Sequence, residues 1–119
     1  MPDPESEPVL VLISVDPRES HRANEAMRIG LGIVSGENDV TFVLIGPAVH
    51  LLDDDADELV DGDDIAKFRA SLRGLGIPFH VEAGVAPTAD WNADGHLVVP
   101  VTVAEIADLV RHSRRVLVF

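Results

Sequence analysis

Two polar residues stand where a layered α/β chain would present them for chemistry. Asp16 follows the aliphatic run Val9-Leu10-Val11-Leu12-Ile13, and His50 follows the run Val40-Thr41-Phe42-Val43-Leu44-Ile45. If these runs are neighbouring parallel strands, a carboxylate and an imidazole meet at one end of the sheet, where a His can accept or donate a proton. Thr102, beyond a later apolar run, adds a hydroxyl at the same level, so an acid–base reading rests on Asp16, His50 and Thr102. Ser20, Gly46 and Gly84 fall in loops leaving the same strand ends and complete a candidate pocket with them. Arg18 and Arg22, close to the start of the first helix, are candidates for holding a small anion.

Other motifs are weaker. Asp53–Asp64 holds eight acidic residues in twelve, but a calcium loop needs a Gly at its sixth place and a Glu at its twelfth. Here those places hold Glu58 and Asp64, so the segment reads as a solvated acidic loop charging the next helix's N-terminus. His21, His50, His80, His96 and His112 show no metal-ligand spacing, and no metal is expected. Gly30-Leu31-Gly32 lies inside a helical pattern, whereas a phosphate loop sits between a strand and a helix N-terminus. No serine lies in a nucleophile elbow. A receiver-type phospho-acceptor role for Asp16 fails as well, since the only lysine is Lys67.

Two counts remove further classes. The sequence has no cysteine, which excludes disulfides, thiolate metal sites, iron–sulfur ligation and every protein thiol or persulfide mechanism. Its net charge of -12 opposes binding that neutralises phosphates, so no nucleic-acid partner is expected. No apolar run reaches the ~18 residues of a membrane helix. The opening Met-Pro-Asp-Pro-Glu-Ser-Glu-Pro is acidic where a secretory signal would be basic and then apolar. A soluble, cytoplasmic protein is the expectation.

The elements that must position these residues follow from periodicity. Residues 1–7 read as a disordered acidic tail and 8–119 as one domain. Short, branched runs too brief for helices mark strands buried on both faces. They are Val9–Ile13, Val40–Ile45, Phe79–Ala83, Leu97–Val99 and Val116–Phe119. Between them, Ser20–Ser35 carries Ala23, Ala26, Met27, Gly30, Leu31 and Val34 at helical spacing, with Ile29 and Ile33 as a flanking stripe. Its Gly30 and Gly32 each cost about 1 kcal/mol against Ala, which close approach to the sheet would offset.

A second helix, about Asp63 to Leu75, should bury Ile65, Phe68, Leu72 and Leu75, with Arg69 and Arg73 complementing its C-terminal dipole. A last helix opens on the capping-box spacing Thr102–Glu105 and should bury Val103, Ile106, Leu109 and Val110. A short helical turn is expected at Pro47–Leu52. The alternation predicts a three-layer α/β/α domain around a mostly parallel five-stranded sheet, with flavodoxin-like layering. Sites in such folds gather at the carboxyl ends of the strands.

The stretch Leu12-Ile-Ser-Val-Asp-Pro-Arg-Glu-Ser-His-Arg-Ala-Asn-Glu-Ala-Met-Arg-Ile-Gly-Leu-Gly32 resembles the first strand and helix of the DsrE/DsrF-like family of small sulfur-relay domains. Val40-Thr-Phe-Val-Leu-Ile-Gly-Pro-Ala-Val-His-Leu-Leu52 is similar to the family's second strand and Gly turn, and Asp63–Pro78 to its following helix. The resemblance implies a parallel five-stranded sheet and assembly into dimers, trimers or mixed hexamers. Sulfur-transferring members carry a persulfide on a cysteine after the third or fourth strand. The positions in that neighbourhood here are Ala83, Gly84, Val85 and Ala86.

The leading expectation is therefore a noncatalytic, cofactor-free DsrE-like subunit, a homo-oligomer (dimer or trimer) or a partner in a mixed complex with DsrE-like subunits. The alternative is a small-ligand or nucleotide-binding module, since Ile13–Ser20 also resembles the opening turn of universal stress proteins. The late Gly-rich phosphate loop of their ATP-binding members is missing after Leu97.

Overall fold

A computed structural model describes residues 8–36, 38–87, 91–92 and 94–119, so the acidic segment 1–7 lies outside the described residues. The element order is β1 (Val9–Ile13), α1 (Arg22–Ser35), β2 (Val40–Leu44), a 3-10 turn (Gly46–Leu52), a second short one (Ala56–Glu58), α2 (Gly62–Gly74), β3 (Phe79–Glu82), β4 (Val98–Val101), α3 (Val103–His112) and β5 (Arg115–Val118). All strands run parallel, in the order β4-β3-β2-β1-β5. The fold is the expected α/β arrangement on a five-stranded parallel sheet.

Alternation along each strand divides the core in two. Val9, Val11, Ile13, Phe42, Leu44, Phe79 and Val81 point to one face, where they join residues of α1, α2 and the 3-10 turn such as Met27, Leu51, Ile65 and Leu72. The rings of Phe42 and Phe79 meet there, centroids 5.6 Å apart. Leu10 and Val43 point to the other face, where Val101 and Ile106 complete a much smaller cluster beneath α3.

Gly30 shows why α1 tolerates a glycine. A Cβ at that position would stand 2.3 Å from the Phe42 ring, so only a missing side chain lets the helix lie this close to β2. Gly32 faces open space and has no such role. At the start of α3 the expected capping box is complete. The Thr102 hydroxyl accepts from the Glu105 N–H, and the Glu105 carboxylate accepts from the Thr102 N–H.

Four side chains depart from the sequence pattern. Leu75, expected inside, is exposed at the end of α2. Val103 is 71% exposed and Val110 38%, whereas Ile106 is buried. A single helix crossing a sheet contacts it along a narrow stripe, so apolar positions on its flank stay outside. Arg69, expected as a surface charge, is instead buried at 2% exposure.

Candidate functional site

β1 and β2 pair with Ile13 opposite Leu44, so the loops leaving them start side by side. This brings Asp16 and His50 within electrostatic reach. Each nevertheless has its own tighter partner. Arg18 grips Asp16 bidentately, Nε to Oδ1 at 3.0 Å and Nη2 to Oδ2 at 2.8 Å, and its backbone N–H donates to Oδ1 at 2.9 Å. These bonds hold the Asp16 carboxyl below the ordinary range, burial works against them, and the charge of His50 adds a smaller push in the same direction. His50 Nδ1 lies 2.9 Å from both carboxylate oxygens of Asp53. The sequence reading missed Asp53; its signal is the i, i+3 spacing from His50 across the end of a helical turn.

The remaining expected residues spread along the same end of the sheet. Ser20 Oγ accepts from the Arg22 N–H at 3.2 Å, and Arg22 Nη2 donates to the Val118 carbonyl at 3.5 Å. Gly46, at φ +55°, donates its N–H to Glu82 Oε1 at 3.0 Å, tying the ends of β2 and β3. Gly84, at φ +87°, forms an exposed turn after β3. Thr102 follows β4, three strands from β1, and so sits ~14 Å across the sheet from Asp16. The structure thus brings together Asp16, Arg18, His50 and Asp53, and leaves Thr102 to its helix cap.

Sequence reasoning did not find a further cluster, in which Arg69 and His96 are buried and Asp94 stays exposed. Arg69 on α2 donates from Nη1 to the Asp53 carbonyl at 2.9 Å and to the Leu51 carbonyl at 3.4 Å, and from Nη2 to Asp94 Oδ2. The guanidinium therefore fixes the backbone of the residue that orients His50. Arg69 also holds the Asp94 carboxyl below its ordinary range.

His96 packs beside this pair, edge-on to Phe79 at 5.7 Å, with Nε2 3.6 Å from Asp94 Oδ2. Burial pushes its basicity down; the charge of Arg69 pushes the same way, and Asp94 pulls against both. Trp91 Nε1 donates to the Val49 carbonyl at 2.8 Å, and the Asn92 N–H to the Leu52 carbonyl at 2.7 Å. Trp91 and Asn92 are in this way stitched to the 3-10 turn that carries His50.

Among the described residues no group of three His, Asp or Glu side chains is placed to hold a metal ion, and no helix is long and apolar enough to cross a membrane. The acidic segment forms its short 3-10 turn and then α2, whose first turn carries Asp63 and Asp64.

No family model matches this chain, and no curated protein does. Among solved structures, the chain is similar to the crystal structure of the ychN protein from E. coli. The TM-score is 0.76 at 17% sequence identity, over 95% of this chain and 99% of that one. At this identity the likeness shows the fold alone, a small α/β domain on a five-stranded parallel sheet.

Proposed function

We propose that this chain is a noncatalytic DsrE/DsrF-like subunit, an oligomeric accessory or binding component of the cytoplasm that cannot itself carry a persulfide. One observation carries the reading: a DsrE-like sheet is complete, yet the chain contains no cysteine at all. The turn after β3, where sulfur-transferring relatives of this fold class are expected to hold their thiol, presents Ala83, Gly84, Val85 and Ala86. Persulfide chemistry needs an ionisable sulfur nucleophile, which methionine does not provide. The strand-end polar groups support the same reading, because Asp16 and His50 are engaged by Arg18 and Asp53.

The partners this implies are further copies of the chain or DsrE-like subunits that do bear a thiol. Native mass spectrometry before and after incubation with a persulfide donor tests the proposal. The expected result is an assembly of at least two copies, with no added sulfur on any of them. A sulfur adduct on this chain, or a clean monomer at working concentration, would overturn it.

A further inference from the structure

Helix α3 has more apolar surface than the sheet uses. Ile106 and Leu109 pack down onto Leu10, Val43 and Val101. Val103, Ala107 and Val110 recur at i, i+4 and i+7, a second stripe one flank away, and all three are exposed. The acidic residues of α3 avoid that stripe: Glu105 and Asp108 line a groove of about 450 Å³ on the other flank, together with His80 and His112.

Charge distribution says what can cover this stripe. Residues 102–119 carry two acidic side chains and three arginines, a net +1, while the rest of the chain is net -13. Two copies of so acidic a protein repel one another over most of their surfaces, and the α3–β5 segment is where that repulsion is weakest. The β4 edge is closed to strand addition, because Pro100 lacks the N–H a further strand would need.

We infer that the Val103–Ala107–Val110 stripe is a twofold contact with α3 of a second copy, the two helices running antiparallel. The inference rests on the oligomeric reading above and names its interface. Ala107 lies near the centre, where a small side chain lets the axes approach, and Val103 of each helix meets Val110 of the other. The antiparallel arrangement also sets each helix N-terminus beside the other's C-terminus.

Sedimentation and light scattering on the full chain and on the double variant Val103→Glu/Val110→Glu test the contact. The wild type should form an even-numbered assembly that tightens as salt is raised, because screening relieves the mutual repulsion. The variant should keep its circular dichroism and weaken association roughly 100-fold or more. An Ala107→Cys variant gives a second readout, since the chain has no other thiol. On oxidation it should yield a covalent dimer, whereas Ala66→Cys, exposed on α2, should not. A wild-type assembly indifferent to both changes overturns the interface and leaves the oligomeric reading standing. A wild-type monomer overturns both.

Discussion

The two faces of the sheet are finished differently. Toward α1 and α2, the strand positions Val9, Val11, Ile13, Phe42, Leu44, Phe79 and Val81 are buried and Val40 partly so, and Gly30 gives up its side chain so that α1 can seat against Phe42. Toward α3, one helix spans five strands, and Val99 and Val118 remain exposed on the same face. The first face is closed by its own chain. The second is only partly closed, and its surplus apolar surface is the kind that self-association removes from water.

Mutations should separate the faces, starting with the largest loss. Phe42→Ala opens a cavity at the centre of the packed face and should cost about 3–5 kcal/mol in denaturant unfolding. Ile106→Ala, the matching deletion under α3, should cost about 2 kcal/mol, the low end for its class, because the thinner layer can collapse into the gap. Equal losses would break the contrast between the faces. Thr102→Ala removes the cap that starts α3 and should cost about 1 kcal/mol.

The smallest effect is a tilt in stability with pH. His96 has an ordinary value of 6.5, and burial lowers it in the folded state. The unfolded chain therefore binds the proton first, so stability is full above pH 6.5 and falls as the pH drops toward the depressed folded value. His96→Leu should flatten that window. It should leave untouched the later acid loss from Asp16, whose lowered value withdraws stability only as the pH falls below 3.8 and through its folded value. A wild-type pH profile indistinguishable from that of His96→Leu would count against a buried neutral imidazole.

The strands were legible because runs such as Val9–Ile13 are too short and too branched for helices, and because alternation was absent where both faces are covered. The Thr102–Glu105 cap and the glycine at position 30 were legible for the same reason: each is a local rule. The Asp16–His50 neighbourhood followed once two strands were taken as adjacent. Arg69 was not legible, since a helical arginine one turn from a C-terminus reads as a surface charge. Its burial depends on Asp94 and His96 returning to α2, a contact between distant parts of the chain that no local pattern encodes. Val103 and Val110 misled in the opposite sense. Helical periodicity marks apolar positions without saying how wide a stripe the neighbouring sheet can cover.

Trp91 has a practical consequence of its own. It is the chain's sole indole, there is no tyrosine, and its ring nitrogen is held by the carbonyl of Val49 beside His50. Intrinsic emission near the red end of the protein band therefore has a single source, fixed at the seam between Trp91 and the strand-end turn. Any ligand, proton or neighbouring subunit that loosens the seam would announce itself as a colour change, with no label attached.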